Sequence, residues 1–322
     1  MKAILFKEIN KKLIVEEVDT PKPGPEEALV ELKAAGMNHR DVWISLGKYP
    51  CLKPNTILGS CGAGIVDGRE VIINPNNNWG DNPDYPNHKA YTILGMPKHG
   101  TFAEQIAVHK DRLVAKPAHL TMQEAGALPL GGLTAYRALF TKGRATAKDK
   151  ILISGIGGGV ALQAFQFAIA IGAEVYVTSG SDEKIQKAIE LGAKGGVNYK
   201  TEKWYKSFMA EHGTIDLVID SAGGNTYNHL LRVCSPRARI VNYGGTQGNC
   251  TINPQILFWK ELEIYGSTMG NDAEFEEMVK MVSKYQIKPI VDQAFGLNEV
   301  QLAFDRMQAG KQFGKIVFDM SV

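Results

Sequence analysis

The sequence contains little cysteine. Its 322 residues include four cysteines, Cys51, Cys61, Cys234 and Cys250, which lie far apart and form no C-x-x-C pair. This spacing argues against a disulfide framework and against a cysteine-rich zinc site. We therefore expect reduced thiols and, with them, a cytoplasmic location.

The chain also lacks a long hydrophobic run and a strong excess of charge. No stretch approaches the roughly 20 apolar residues that a membrane-spanning helix needs. The N-terminal segment MKAILFKEINKK returns to charged residues too soon for a signal peptide. A net charge of +2 creates no field suited to nucleic acid or to an anionic membrane. The expected partner is a small-molecule substrate, with no nucleic acid and no membrane.

The remaining composition is that of a soluble globular protein, with 44% hydrophobic and 22% charged residues. The length suffices for two domains of ordinary size. The first third is predicted to be β-rich, because apolar runs at 28–33, 70–74 and 101–108 are separated by Pro and Gly. Residues 74–100 are rich in Asn, Pro, Asp, Gly and His, which predicts a long loop or lobe.

From Thr121 onward the pattern becomes helical and then alternates between strand and helix. Thr121 and Glu124 have the spacing of a capping box before an apolar run. Strands are predicted at 151–154, 174–179, 215–220, 237–243 and 261–267, and helices at 159–171, 182–191, 203–211, 225–233 and 273–285. This alternation predicts an α/β fold with a parallel sheet covered on both faces. A helix near 301–307 and a strand at 315–319 are expected to return to the β-rich part.

The stretch from Ile151 to Lys184 is the most informative part of the chain. A short apolar strand meets a glycine cluster at 155–159, an uncharged helix follows over 161–173, and a second apolar strand comes after it. This order of elements places a phosphate at a helix N-terminus, and glycine lets the ligand approach the backbone closely. The segment therefore predicts a dinucleotide site.

Further motifs follow one another along the chain: Gly36-Met-Asn-His-Arg-Asp, Leu58-Gly-Ser-Cys-Gly-Ala-Gly, Gly100-Thr-Phe-Ala-Glu, Ala127-Leu-Pro-Leu-Gly-Gly-Leu-Thr-Ala-Tyr, Leu191-Gly-Ala, Val197-Asn-Tyr, Asp216-Leu-Val-Ile-Asp-Ser-Ala-Gly-Gly and Gly314-Lys-Ile-Val. With the glycine turn, this set resembles the medium-chain dehydrogenase/reductase superfamily, and most of all its zinc-free branch of quinone oxidoreductases and enone reductases. The resemblance covers nearly the whole chain.

The resemblance implies two domains with the active site in the cleft between them. A GroES-like β-rich catalytic domain would comprise 1–120, completed by the tail 287–322, and a Rossmann doubly wound parallel sheet would comprise 121–286. Cofactor contacts implied by the resemblance are the pyrophosphate turn, the nicotinamide neighbour and residues that follow later strands, namely Gly155, Gly158, Val160, Thr134, Gly244, Gly245, Thr246 and Ser267. Their shared position at the carboxyl ends of strands is where α/β sheets bind ligands.

The same resemblance bears on catalytic zinc. Zinc-containing relatives place a Cys at the position of Asn38, a His-Glu pair at Ser60-Cys61 and another Cys near Leu130. Asn, Ser and Leu supply none of the donors that hold zinc. Residues 74–100 contain no cysteine for a structural zinc either. We predict a zinc-independent enzyme and therefore reduction of a conjugated carbonyl, whose delocalised oxyanion needs no metal.

The predicted nucleotide is NADPH. The second strand of the dinucleotide unit ends in Ser179 and Ser181, followed by Lys184, and these residues suit a 2′-phosphate that needs donors and a cation. By resemblance, Tyr199 also reaches that phosphate. Two alternatives remain open: Ser181 and its neighbours form a helix N-cap, or Asp182 supplies the carboxylate that favours NAD.

The predicted substrate pocket lies on the segment that faces the nicotinamide in quinone reductases. Asn38 would donate a hydrogen bond to the acceptor oxygen, and Tyr49 would donate or relay a proton. Asp41 is assigned either to catalysis or to capping a helix near 39–46. Trp43 would stack on a flat substrate or pack in the core.

Alternatives to this function remain. One is an alcohol dehydrogenase with an unusual metal site, for which His39 and Cys61 are candidate ligands. Another is an NADPH-binding sensor or scaffold without efficient turnover. A homodimer is expected if the apolar segment 256–264 forms an edge strand, whereas an internal strand would have no such role. The direct step from Asp67 to Gly68 omits a hairpin that relatives have, so substrate identity is not transferred.

Overall fold

The computed structural model describes residues 1–321. Its strands, in chain order, are β1 (Lys2–Phe6), β2 (Val15–Glu17), β3 (Glu27–Gly36), β4 (Thr56–Ile57), β5 (Cys61–Val66), β6 (Arg69–Ile73), β7 (Asn76–Asn77), β8 (Thr92–Leu94), β9 (Pro97–Lys98), β10 (Gln105–His109), β11 (Leu113–Ala115), β12 (Lys150–Ile153), β13 (Glu174–Ser179), β14 (Gly195–Asn198), β15 (Ile215–Asp220), β16 (Cys234–Asn242), β17 (Glu263–Gly266), β18 (Val291–Phe295) and β19 (Lys315–Asp319).

The α-helices are α1 (His39–Ser45), α2 (Met122–Ala127), α3 (Pro129–Tyr136), α4 (Gly159–Ala170), α5 (Asp182–Glu190), α6 (Trp204–His212), α7 (Tyr227–Val233), α8 (Pro254–Trp259), α9 (Asp272–Lys284) and α10 (Val300–Gln308). Short 3-10 turns cover Lys110–Arg112 and Leu297–Glu299, and a π-helical segment covers Arg137–Lys142. None of the helices described is long and apolar enough to cross a membrane.

The chain divides into two compact units. One unit comprises Met1–Leu133 and the chain from Asn271 onward, and the other comprises Thr134–Gly270. These boundaries differ from the predicted 120/121 and 286/287. The first differs because α2 packs on β3, β5 and β19. The second differs because Asp272, at the start of α9, accepts hydrogen bonds from Asn74 and Arg112.

Unit Thr134–Gly270 is a six-stranded parallel sheet in the order β14-β13-β12-β15-β16-β17. Numbered within the unit, this order is 3-2-1-4-5-6, which defines the Rossmann fold. All five predicted strands occur within two or three residues of their expected ends, and the first four predicted helices lie in this unit as α4 to α7. The sequence missed β14, because the two glycines of Gly195–Asn198 weaken the apolar pattern.

The apolar segment 256–264 is not a continuous strand. Its first part belongs to α8, and only its end enters β17. Local chemistry explains the helix, because the Asn253 side chain accepts hydrogen bonds from Gln255 N and Ile256 N, and Pro254 occupies the first helical position. Within residues 1–321, β17 pairs with β16 alone, so it forms one edge of the sheet.

The other unit is β-rich and is organised around β3. This strand pairs antiparallel with β5, β10 and β19, and β5 continues through β6 to β11. The predicted return of the C-terminal strand is therefore confirmed, with Val317 opposite Gly36. Buried side chains from β1, α1, α10, β19 and the loop before β10 form one core cluster of this unit, which includes Phe102, Phe304 and Phe318.

Two local features of this unit are the short turn after β5 and the lobe at residues 74–100. The turn between β5 and β6 uses Asp67 and Gly68, both with positive φ (48° and 74°), which is the geometry of a two-residue hairpin. In the lobe 74–100, the strands β7, β8 and β9 form a small sheet. Tyr91 donates to the buried Asn76 side chain at 2.6 Å and packs edge-on against Trp79, so polar and aromatic contacts stabilise the lobe.

Candidate active site

The predicted dinucleotide turn lies between β12 and α4. Gly155 and Gly157 have φ of 65° and 114°, which L-residues with a side chain rarely adopt. Gly158 caps α4, and Val160 lies in its first turn, where backbone N–H groups have no intrahelical partner. These N–H groups at a helix N-terminus are suited to the pyrophosphate of a dinucleotide.

The remaining cofactor candidates of this unit lie at the carboxyl edge of the same sheet. Gly244, Gly245 and Thr246 directly follow β16, and Thr246 N donates to Ser221 O just beyond β15. Ser267 directly follows β17, and its buried hydroxyl has no hydrogen-bond partner among residues 1–321. Thr134 is buried and contacts Met269 Sδ through its hydroxyl at 3.8 Å.

A buried carboxylate that the sequence analysis missed joins three of these strand ends. Asp220, at the end of β15, accepts from Ser154 Oγ, from Gly223 N at 2.9 Å and from Asn242 Nδ2 at 2.8 Å. Tyr227 in turn donates to Asn242 Oδ1 at 2.5 Å, and burial raises the pKa of this tyrosine. The carboxylate therefore orders the loops that follow β12, β15 and β16. Its signal in the sequence was an acid as the last residue of an otherwise mainly apolar strand.

At the end of β13 the predicted 2′-phosphate residues converge. Ser179 Oγ accepts from Ser181 N at 3.2 Å, and Tyr199 N donates to Ser179 O at 3.1 Å. A Cβ added to Gly180 would lie 2.7 Å from Tyr199 Oη and 2.9 Å from Lys200 Cε, so both side chains lie against this glycine. Lys200 was missed, although it follows the Asn-Tyr pair directly.

The two alternatives for this strand end are also visible. Ser181 caps α5 by accepting from Lys184 N at 3.4 Å, so its N-cap role is real. The Asp182 carboxylate accepts from Asn198 Nδ2 at 2.9 Å and is exposed. Lys184 lies half-buried on the first turn of α5. Because Ser181 and Ser179 accept these hydrogen bonds through their oxygens, the O–H group of each remains as a donor for a phosphate.

In the β-rich unit, the positions that carry metal ligands in zinc-containing relatives converge on one sulfur. Cys61 Sγ accepts from Asn38 Nδ2 and from Leu130 N, each at 3.2 Å. Asn38 follows β3, Cys61 begins β5, and Gly36 is paired with Cys61 across the sheet. Asn38 Nδ2 also donates to Gly36 O at 3.2 Å, so both N–H groups of its amide have partners in the protein.

Lys315, which belongs to the Gly314-Lys-Ile-Val motif and was not predicted as a site residue, completes this cluster. Its ammonium donates to Asn38 Oδ1 at 2.6 Å and to Met37 O, and the residue is 4% exposed. Burial lowers the pKa of the ammonium, whereas the nearby Cys61 and Asp41 raise it. Lys315 reaches Asn38 because β19 pairs with β3 and Met37 N donates to Ile316 O.

This donor set does not fit a zinc ion. The Asn38 oxygen is bound to an ammonium, which would repel a divalent cation placed on the same atom. Ser60 Oγ is engaged with Leu94 O and Arg40. Within residues 1–321, no group of three His, Cys, Asp or Glu side chains is placed to hold a metal ion. A metal shared by His39 and Cys61 would therefore lack a third such ligand.

The acid and base candidates of α1 differ in their surroundings. Asp41 is fully buried, and its Oδ2 accepts from Asn38 N at 2.8 Å, which is the capping role offered as its alternative. Burial raises the pKa of this carboxyl, and the neighbouring Arg40 opposes the shift. Arg40 donates to Ser60 Oγ and to Leu94 O at 2.7 Å. The start of α1 is therefore fixed by Asp41, Arg40 and Lys315.

Two aromatic side chains flank this cluster. The Arg40 guanidinium lies 4.7 Å above the centre of the Tyr49 ring, and Tyr49 is half-buried. Trp43 meets His39 edge-on, with ring centres 5.2 Å apart, and burial lowers the pKa of His39. The structure therefore brings Asn38, Asp41 and Lys315 together through direct hydrogen bonds or charge, with Tyr49 reached through Arg40.

Comparison with known proteins places the chain in a family. The alcohol dehydrogenase GroES-like domain matches residues 24–118, and the zinc-binding dehydrogenase domain matches residues 159–284. The second match does not include Asn38, Cys61 or Lys315. The zinc-type alcohol dehydrogenase-like protein YogA of Leptosphaeria maculans is 40% identical over 94% of this chain and 93% of its own.

Two further similarities agree. Crotonyl-CoA reductase of Streptomyces collinus is 29% identical over 93% of this chain and 80% of its own. The crystal structure of an NAD-dependent alcohol dehydrogenase superposes with a TM-score of 0.92 and 31% identity, covering 99% of this chain and 100% of that one. The chain therefore belongs to the medium-chain dehydrogenase/reductase superfamily and is an oxidoreductase with a GroES-like and a Rossmann domain.

The Asp220 network supports a stability prediction. Asp220→Asn removes the charge from three hydrogen bonds: its amide oxygen can accept from Gly223 N and Asn242 Nδ2, but its NH2 then faces the Ser154 hydroxyl, which now donates to Oδ1. We expect the free energy of unfolding to fall by about 3 kcal/mol, as measured by urea denaturation. The matched variant Asp182→Asn removes an exposed carboxylate and should change it by less than about 1 kcal/mol. Equal effects of the two variants would contradict the role given to Asp220.

Proposed function

We propose that the protein is an NADPH-dependent, zinc-independent oxidoreductase that transfers hydride to a quinone or an α,β-unsaturated carbonyl. The observation that carries the proposal is the cluster at Asn38, where an amide stands at the position of a metal ligand in zinc-containing relatives and binds an ammonium and a thiol sulfur. Alcohol oxidation needs a Lewis acid to stabilise an alkoxide. Reduction of a conjugated carbonyl yields a delocalised oxyanion that hydrogen-bond donors stabilise.

The similarity to a crotonyl-CoA reductase supports this substrate class, because the crotonyl group is an α,β-unsaturated acyl group. NADPH, when bound, supplies a hydride. The β-carbon of the acceptor gains that hydride, and the electron pair of the C=C bond moves toward the carbonyl to leave an enolate oxygen. A proton then adds at the α-carbon, so the product is the saturated carbonyl compound.

In this proposal Asn38 donates to the enolate oxygen. One of its amide N–H groups donates to a backbone oxygen and the other to Cys61 Sγ, which is the weaker acceptor. The N–H that binds sulfur therefore loses less hydrogen-bond energy than the other when it turns to bind the substrate oxygen. Asp41 holds the Asn38 backbone, and the Tyr49 hydroxyl or water delivers the proton.

The choice of NADPH rests on the cations at the end of β13. Lys184 and Lys200 flank a strand end that also offers the hydroxyls of Ser179 and Tyr199. A 2′-phosphate takes several charge-assisted hydrogen bonds from such a set. Asp182 is the exposed carboxylate that would favour NAD, and its Oδ1 already accepts a hydrogen bond from Asn198 Nδ2.

Lys200→Ala should raise the KM for NADPH by about 10- to 100-fold, because one charge-assisted hydrogen bond is worth roughly 1.5–3 kcal/mol. The KM for NADH should change by less than about threefold, since NADH has no 2′-phosphate for the side chain to bind. Lys187→Ala is a suitable control, because Lys187 lies on α5 and pairs with Glu183 at 2.7 Å. Steady-state kinetics with both nucleotides make the measurement. Equal losses with NADPH and NADH would refute the phosphate contact.

The acceptor class is tested by following NADPH consumption with quinones, enals and enones, together with elemental analysis of the purified protein. We expect turnover of these acceptors without stoichiometric zinc. Asn38→Ala should lower kcat by about 100-fold, because removal of one oxyanion donor has an effect of this order. Turnover of alcohols with stoichiometric zinc would support the alcohol dehydrogenase alternative. Cofactor binding without turnover of any acceptor would support a sensor or scaffold.

We also propose a homodimer formed through the edge of the parallel sheet. β17 has a free edge, and the preceding helix α8 exposes Phe258 and Trp259, the latter 80% exposed. An open strand beside exposed aromatic side chains favours pairing with a second copy.

Trp259→Glu should convert the dimer to a monomer, because a charge would be buried in the apolar part of the interface. Leu302→Glu, at an exposed leucine on α10 in the other unit, should leave the dimer intact. Sedimentation velocity at micromolar protein concentration gives the oligomeric state of each variant. A wild-type protein that sediments as a monomer would show the proposal to be wrong.

A further inference from the structure

Lys315 is a buried cation whose role the fold does not explain. Its backbone already belongs to β19, where Lys315 N donates to Ile290 O at 2.8 Å. The strand is held by ladder hydrogen bonds to β3 and β18 on its two sides. Burying an ammonium is costly, and replacement of buried ions by apolar residues is often neutral or stabilising. A lysine with 4% exposure at this place therefore indicates a function.

Around Lys315 the buried basic side chains outnumber the buried carboxyl groups. Two cations, Lys315 and Arg40, are buried beside one carboxylate, Asp41. Burial lowers the pKa of His39, which disfavours a further positive charge on its ring. Cys61 lies close enough to interact electrostatically with the ammonium. The Asn38 amide oxygen accepts directly from the Lys315 ammonium at 2.6 Å, so a positive charge on this lysine acts first on that amide.

We infer that Lys315 is a positioning residue that supplies, through Asn38, the positive charge that a metal supplies in zinc-containing relatives. Its ammonium binds Asn38 Oδ1 at 2.6 Å, which fixes the orientation of the amide and directs Nδ2 toward Cys61 Sγ. A cation on the amide oxygen draws electron density from the N–H groups and makes them stronger donors. This inference rests on the proposed function, in which Asn38 Nδ2 binds the oxygen that becomes negative.

The hydride step shows why this charge matters. When hydride adds to the β-carbon, the C=C electron pair ends on the carbonyl oxygen as an enolate, and the proton arrives later at carbon. During that interval the positive charge of the Lys315 ammonium stabilises the oxyanion, and its hydrogen bond to Asn38 transmits the effect. A quinone forms a more stabilised phenolate-type oxyanion. Its reduction should therefore depend less on Lys315 than reduction of an enone does.

The first experiment separates charge from hydrogen bonding. Lys315→Gln keeps an N–H donor for Asn38 Oδ1 but removes the charge, and Lys315→Arg keeps the charge. We expect Lys315→Gln to lower kcat by about 100-fold for an enone and clearly less for a quinone, with KM for NADPH unchanged. Lys315→Arg should restore most of the enone activity. Lys311→Met, at an exposed lysine shortly before β19, is the control and should retain wild-type kinetics.

Two results of this experiment would overturn the inference. If Lys315→Gln loses the same factor with every acceptor and Lys315→Arg does not recover, the lysine is structural. If Lys315→Gln retains wild-type kcat with enones, the charge is not used. Circular dichroism and thermal unfolding of each variant show whether a loss of activity reflects a loss of fold.

The second experiment needs no turnover. 4-Nitrophenol absorbs differently as phenol and as phenolate, so its spectrum reports ionisation of the bound probe in the presence of NADP⁺ or NAD⁺. In the wild type and Lys315→Arg the bound probe should ionise more readily than free 4-nitrophenol, by about tenfold or more in the ionisation constant. Lys315→Gln should abolish this difference.

An equal ionisation constant in all three proteins, or no binding to the wild type, counts against the inference. The two experiments also separate the inference from the proposed function. If no quinone or enone is turned over but the Lys315-dependent shift of 4-nitrophenol is present, the proposed substrate class is wrong and the anion-stabilising charge remains. If enones are reduced and the shift is absent, the function stands without this role for Lys315.

Discussion

The antiparallel pairing of β19 with β3 is the contact on which the candidate site depends. It brings Lys315, the first residue of β19, beside Asn38, the N-cap of α1, which lies 277 positions earlier in the chain. Without this pairing, Asn38 would lose the partner of its amide oxygen, and Met37 would lose that of its backbone oxygen. In the β-rich unit, β19 therefore completes the sheet beside β3 and also supplies the Lys315 side chain that binds Met37 O and Asn38 Oδ1.

Electrostatics explains how the family scaffold accommodates a changed donor set. The Cys61 sulfur lies in the middle of this cluster and accepts hydrogen bonds from Asn38 Nδ2 and Leu130 N. The Lys315 ammonium binds the oxygen of the same Asn38 amide. The positive charge is thus delivered by a covalently fixed side chain in a dry environment, where charge interactions are strong. A fixed ammonium stabilises a delocalised oxyanion, whereas it has no open coordination position for an alkoxide. This difference links the residues present to the reaction that we propose.

In the Rossmann unit, the site arises from strand ends. Parallel strands carry their carboxyl ends to one edge, so the glycine turn, Ser179, Gly244 and Ser267 share that edge although they are distant in the sequence. Local patterns predicted almost every element here, because strand length and helical period are properties of short segments. The two elements that were not predicted also have local causes. The glycines of β14 weaken its apolar pattern, and the apolar run of α8 resembles a strand although Asn253 and Pro254 begin a helix there.

By itself, the sequence determined the α/β class, the dinucleotide turn, the capping box at Thr121 and the absence of metal donors at Asn38, Ser60 and Leu130. These features depend on residue identity and near-neighbour spacing, which a single sequence displays. Only the tertiary structure decided that α2 and the start of α9 belong to the β-rich unit, that Asp220 joins three loops, and that Lys315 and Lys200 lie at the candidate sites. Those facts arise from pairing and packing across long separations, and no local pattern of charge or hydrophobicity records them.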